Sequence, residues 1–406
     1  MHRLRPLVAL SAIGLLVTQL LCMFGGPPAG TLVKGVPRAS DFLSFWGGAK
    51  ALHTWDPASL YDHRLLWTIM HSAAPTRIAF DNLYPPPLYQ AFELFLPLSY
   101  PAGGRLHLAL MTGAMVGAMA LLVRAVPVVA QADRRVLFGA LAVSPVVYMN
   151  LLTGQLGGVW LCLLAGGVLL LRDGKAVVGG AVLGLLCVKP SVAAAVAAAL
   201  ALTGQGAALG GFVLGGATLL GGSLALDGTV PWRAWIELMT GDHLRNYGQV
   251  PQRQITLAGL VSWPMGERNI ASLGSRIGTA CGLVLALWLS RRAWRLTPSD
   301  PRWPLRFGLV LSAMLLALPH LVDYDTGLHG IGLLASAALL RGARRRTLGI
   351  GLLLAAFVTP VMHSGYELLH ISGGALVLVL WLIWAALEDR RQEGRPLGGA
   401  ATAAPG

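Results

Sequence analysis

Apolar positions in this chain come in long unbroken runs, with charged residues pushed to their ends. Apolar stretches recur at 7–24, 104–123, 135–149, 155–171, 176–188, 191–203, 206–225, 276–290, 307–321, 326–340, 347–362 and 371–387, and the only charges within them, Arg105, Arg135 and Arg276, lie in their first two positions. The longer ones approach the ~20 residues that a helix needs to cross a hydrocarbon core of about 30 Å, and the shorter Gly/Ala-rich ones span with tilt or local thinning. A membrane barrel would alternate apolar and polar residues at every second position, and this chain does not. The pattern predicts twelve transmembrane helices. Lys189 and Pro190 alone separate the fifth from the sixth, and the apolar run 85–98 is expected to enter the membrane without crossing it.

Composition points the same way. Of 406 residues, 55% are hydrophobic and only 12% charged, and the mean hydropathy of +0.64 excludes a soluble globule. The fold class expected is an all-α polytopic membrane protein, one domain over 1–388 with a disordered cytoplasmic tail over 389–406. With the N-terminus inside, 19 of the 31 Lys and Arg residues fall on the inner side with six acids, so the inner face carries the whole formal charge of +13. A basic face toward anionic lipid headgroups accounts for the high charge, and no nucleic-acid partner is implied. The opening segment has signal-peptide features, but its apolar stretch is long and, kept as a helix, leaves the later topology in register with the charges. Cys22, Cys162, Cys187 and Cys281 lie in predicted spans without metal-ligand spacing and are expected to be small buried apolar residues.

This topology leaves two large outward loops, 25–103 and 226–275, and short outward turns at 150–154, 189–190, 322–325 and 363–370. Most histidines, tyrosines and acids outside the tail fall in these loops or in spans, so the chemistry is expected on the outer face. "SDFLSFWGGAKALH" carries Phe42, Phe45, Trp46, Ala49 and Leu52 at helical spacing, which predicts a short amphipathic helix on the outer membrane surface. Asp41 stands at its start. One reading makes Ser40 or Asp41 a helix cap; the other makes Asp41 a reactive carboxylate at the membrane boundary. Trp46, Trp55, Trp232, Trp235 and Trp263 read as interfacial anchors.

Asp41 after the first span, then "WDPASLYD" (55–62), "YPPP" (84–87), "GQ" (154–155) and "KP" (189–190) lie in order on one face. This series resembles glycosyltransferase family 87, membrane enzymes of the GT-C fold that use polyprenyl-phosphate sugars. Members often carry a polar residue two places after "GQ"; here Leu156, Gly157 and Gly158 follow. "HLVDYD" (320–325) is similar to a late aromatic and acidic turn in some bacterial members.

The resemblance implies a GT-C-like bundle and an inverting transfer of a hexose, mannose being the familiar donor sugar, to a glycolipid or glycan acceptor outside the membrane. It implies a bacterial inner-membrane location, and the charge distribution over twelve spans places both termini in the cytoplasm. Such chemistry needs a base for the acceptor hydroxyl, donors or cations for the departing phosphate, and a groove for an isoprenoid chain. Asp41 is the candidate base. Lys189, His320 and Arg253 are candidates for the donor phosphate, and Tyr84 and Gln155 for the sugar. Asp323, Tyr324 and Asp325 form a second acidic group for the acceptor or a cation, or alternatively cap the helix starting near 326. No cofactor is expected, and a divalent cation is not favoured. Two readings from other classes are a transporter or lipid flippase, which wants charges near mid-bilayer, and a non-catalytic membrane subunit.

Overall fold

The computed structural model of the chain describes residues 31–32, 36–37, 39–74, 82–126, 145–241, 253–267, 269–294, 296–340 and 372–393. These are almost entirely helical, apart from a two-residue strand pair, Thr31–Leu32 with Val36–Pro37. In chain order the helices are α1 Ser40–Thr54, α2 His63–Ala73, α3 Pro86–Phe92, α4 Tyr100–Ala125, α5 Pro145–Thr153, α6 Gly157–Arg172, α7 Ala176–Gly184, α8 Pro190–Leu202, α9 Gly206–Asp227, α10 Val230–Thr240, α11 Leu257–Ser262, α12 Leu273–Ala293, α13 Trp303–Leu316, α14 Gly330–Ala335 and α15 Gly373–Arg391. Three of them, α4, α9 and α12, are long and apolar enough to cross a membrane. Shorter apolar helices are α6, α8, α13 and α7 with its 3-10 extension to Val188. The expected spans 7–24 and 347–362, and most of 135–149, lie outside the described residues.

Small residues set how closely the helices approach. Gly180 and Gly184 of α7 lie against the Ala208 and Phe212 carbonyls of α9, and Gly211 and Gly215 of α9 lie against the Val177 and Ala181 carbonyls. A Cβ at any of the four would sit within 2.3 Å of a carbonyl oxygen, so this pair packs backbone to backbone. At the centre stands α13, with all 14 of its residues buried. Its C-terminal end leads into the turn 320–325, and its N-terminal end carries Arg302 and Arg306. Helix α15 runs alongside from Ser372, which donates to the Gln254 carbonyl, to Asp389, which accepts from Arg306. Those seventeen steps at ~1.5 Å each separate two charged ends of the bundle by about 25 Å.

Several expectations change. The segment 326–340 is not one helix: a 3-10 stretch Asp323–His329, α14 and a second 3-10 stretch Ser336–Leu339 follow each other. Gly332 packs onto Gly308, where a Cβ would meet the α13 backbone at 2.9 Å, and three glycines in this segment weaken a regular helix. The run 85–98, by contrast, agrees with the expectation that it does not cross: it forms α3, at seven residues too short to span, and a 3-10 turn.

Helix α1 does not lie on the surface with one face exposed. Phe42, Leu43, Phe45, Trp46, Ala49 and Leu52 are buried, and so are Ser44, Gly47 and Gly48 on the other side. Gly48 admits the Tyr89 ring, which a Cβ would meet at 2.4 Å. Trp46 and Trp263 are therefore core residues rather than interfacial anchors, whereas Trp55 is exposed. Cys281 is exposed on α12, not buried, and Cys162 and Cys187 are half-buried. Helix α15 continues past 388, with Glu388, Asp389 and Gln392 buried at its end.

Candidate functional site

Asp41 begins the argument because its side chain does not do what its position suggests. The residue preceding α1 in the capping position is Ala39, and no side chain caps the helix. The Asp41 carboxylate instead accepts a hydrogen bond from Gln155 Nε2 at 2.7 Å. Burial pushes its pKa up to about 6 from an ordinary 3.8; the Gln155 bond and the positive charges of Arg253 and Lys189 pull the other way. The helix-cap reading of Asp41 is thus replaced by a half-buried carboxylate held by an amide and within the field of two cations.

What aims Asp41 at Gln155 is the turn that carries the glutamine. The Ala39 amide donates to the Leu152 carbonyl at 3.0 Å, fastening the start of α1 onto the end of α5. Gly154 adopts φ +74, and a Cβ there would stand 3.0 Å from the Ala39 Cβ, so both conformation and closeness call for glycine. His107 of α4 bonds the Gly154 carbonyl at 2.9 Å while its ring stacks on Phe42 at 4.8 Å. Asn150 completes the turn: it accepts from the Gly157 amide at 3.0 Å and donates to the Tyr324 carbonyl at 2.8 Å.

Two ion pairs stand beside this carboxylate. Lys189, at the break between the α7 extension and α8, pairs with Asp325, both buried. Arg253 pairs with Asp323 through two hydrogen bonds, Nε–Oδ2 at 3.1 Å and Nη2–Oδ1 at 2.9 Å. Tyr324 lies between the pairs, with Lys189 Nζ and the Arg253 guanidinium each 5.7 Å from its ring centre. Asp323 does not cap the following helix by its side chain; its carboxylate accepts from the Tyr324 amide and from Arg253. Both acids are committed to cations, and among the described residues no group of three or more His, Cys, Asp or Glu side chains is placed to hold a metal ion.

His320 bonds Gln254 at 2.7 Å, and Gln254 also accepts from the Leu321 amide, tying the 253–256 segment to the 320–325 turn. Tyr84 packs edge-on against Phe45 at 5.6 Å, and its carbonyl accepts from the Tyr61 hydroxyl at 2.9 Å. The Tyr324 hydroxyl titrates well above its ordinary range because of burial first, then the nearby charges of Asp325, Tyr84 and Asp41. The structure therefore brings Asp41, Tyr84, Gln155, Lys189, Arg253, His320, Asp323, Tyr324 and Asp325 to one end of the bundle. Sequence reasoning missed Asn150, His107 and Gln254. Asn150 had a signal: an amide inside "VVYMNLLTGQ" must find partners once buried.

A family model described as glycosyltransferase family 87 matches residues 82–319, more than half of the chain. The chain belongs to glycosyltransferase family 87. It matches no curated protein and no solved structure. Within the family-87 match lie Tyr84, Gln155, Lys189 and Arg253; Asp41 precedes it and the 320–325 turn follows it. Membership assigns glycosyl transfer, and hence a sugar donor and an acceptor, to the chain as a whole. The apolar helices α4, α9 and α12 associate this family-87 protein with a membrane.

Proposed function

We propose that the chain moves a hexose, with inversion, from a polyprenyl-phosphate donor to a glycolipid or glycan acceptor at the outer face of a bacterial inner membrane. The observation that carries this reading is Asp41: a half-buried carboxylate, unused as a cap, with no ion-pair partner among the described residues and two cations close by. In the proposed step the acceptor hydroxyl attacks the anomeric carbon and gives its proton to Asp41. The bond from that carbon to the phosphate oxygen breaks, and polyprenyl phosphate leaves with the bonding electrons.

Arg253 supports the phosphate assignment through its free edge. Nε and Nη2 serve Asp323, and Nη1 makes no hydrogen bond among the described residues. Lys189 contributes field rather than an unoccupied ammonium, since Asp325 already holds it. These two cations offset the negative charge that builds on the leaving phosphate, and the reading requires no divalent ion. An apolar cavity of about 290 Å³, lined by Pro85, Cys187, Pro190, Ala193, Phe212 and Trp232 and so adjoining the break that carries Lys189, suits an isoprenoid chain. Mannose is the sugar we favour, with both termini cytoplasmic.

Asp41→Asn tests the base assignment. The change keeps the size and removes the basicity, so transfer by the purified variant is expected to fall about a hundredfold or more while donor binding stays within a few-fold. An Asp41→Asn protein that transfers sugar at the wild-type rate contradicts the assignment and moves the role to Asp323 or Asp325.

A further inference from the structure

The end of the bundle remote from Asp41 holds a second polar cavity, of about 170 Å³, between α12, α13 and α15. Arg291, Arg292, Arg306, Arg390 and Asp389 line its polar side, and Trp288 and Leu309 are among its apolar lining. Asp389 and Glu393 take Arg306, Arg302 and Arg292 as partners. The side chains of Arg291 and Arg390 have no ion-pair partner among the described residues. Arg292 Nη1 is buried without a hydrogen bond, its nearest carboxylate oxygen 3.9 Å away. The cavity is thus a pocket with positive charge in excess and an unused buried donor.

A continuous apolar strip leads into it. Ile277, Cys281, Val284, Trp288 and Arg291 recur at spacings of four, three, four and three residues, so they share one face of α12. All five are exposed, Val284 at 66%. An exposed apolar strip ending in arginines, on a helix long enough to span a membrane, matches an acyl chain ending in a phosphate. We propose that this pocket binds the headgroup phosphate of an anionic glycerophospholipid, with its acyl chain along the Ile277–Trp288 face of α12. The uncompensated arginines select against a zwitterionic lipid, whose ammonium they would repel.

The test uses the full chain, purified and delipidated in a neutral detergent. Phosphatidylglycerol and phosphatidylcholine are titrated in separately, and retained lipid is counted by native mass spectrometry. The expected result is a preference for phosphatidylglycerol of about tenfold or more, lost in the Arg291→Gln/Arg390→Gln variant. Because neither arginine holds an ion pair among the described residues, the thermal unfolding midpoint of the lipid-free variant should match the wild type. Should the double variant fold poorly, Arg390→Gln alone is expected to lose about threefold. Equal binding of the two lipids, or an unchanged preference in the variants, overturns the proposal. Displacement of phosphatidylglycerol by millimolar inorganic phosphate also overturns it, since that makes the pocket a site for free anions.

Discussion

Both ends of this bundle bury charge, and they use it differently. At the end remote from the site, Asp389 is shared by three arginines, and Glu393 by two of the same three. At the site end each cation has its own carboxylate, Lys189 with Asp325 and Arg253 with Asp323, and among the described residues Asp41 has the amide of Gln155 and no ion pair. A shared network binds helices α12, α13 and α15 to one another. One-to-one pairs with a carboxylate left over neutralise the cations at rest and leave a group able to accept a proton. The comparison separates charge that holds the fold from charge kept for chemistry.

The largest expected effect breaks the structural end. Asp389→Ala removes the buried carboxylate that Arg292, Arg302 and Arg306 share and leaves Arg292 and Arg306 only the exposed Glu393; breaking a buried ion pair costs about 3–5 kcal/mol. The unfolding midpoint should fall sharply, while transfer per folded molecule stays within about twofold, since Asp389 lies about 25 Å along α15 from the site. A selective loss of transfer without a loss of stability would erase the distinction between the two ends.

The next effect sharpens the comparison at the site. Lys189→Met strands Asp325 in a buried position and should destabilise the protein by about 3 kcal/mol. Adding Asp325→Leu removes the stranded charge and should recover most of that stability. Donor binding should remain weaker than in the wild type in the double variant, because the Lys189 charge that acts on the donor phosphate through its field is gone. If donor affinity returns together with stability, Lys189 serves the fold alone.

The smallest effect concerns the stability of Asp41→Asn. Burial raises the folded-state pKa of Asp41 to about 6 from 3.8, so the folded protein holds this proton more tightly than the unfolded chain does. The stabilisation from that proton is complete below about pH 4 and is lost as pH rises through 6. Asparagine carries no such titration. The variant should therefore match the wild type at pH 4 and be more stable at pH 8, by about 3 kcal/mol at most. Lower stability of the variant at pH 8 would mean that Asp41 is structural after all.

Much of this was legible in the sequence for a simple reason: apolar runs must end, and polar residues at their ends are costly unless used. Lys189 stood out on that basis, whereas Gln155 and the 320–325 turn stood out through the resemblance to family 87. Partner choice was not legible, because Lys189 and Asp325 are 136 residues apart and nothing local pairs them. Helix α1 was misread for a related reason. Its second face is made of Ser44, Gly47 and Gly48, whose small size reads as polar or neutral but lets Tyr89 and Met70 pack against it. The network around Asp389 was hidden by the same kind of separation, between α12, α13 and α15.

The most direct test of the central claim is the pH dependence of kcat/KM for sugar transfer. A polyprenyl phosphodiester keeps one charge across the neutral and mildly acidic range, so the donor adds no titration of its own. With Asp41 as the base, kcat/KM should be level above about pH 7 and fall about tenfold per unit below about 6, and the residual transfer of Asp41→Asn should lack that limb. A wild-type profile that stays flat from pH 5 to 8, or an acid limb that persists in Asp41→Asn, would contradict it.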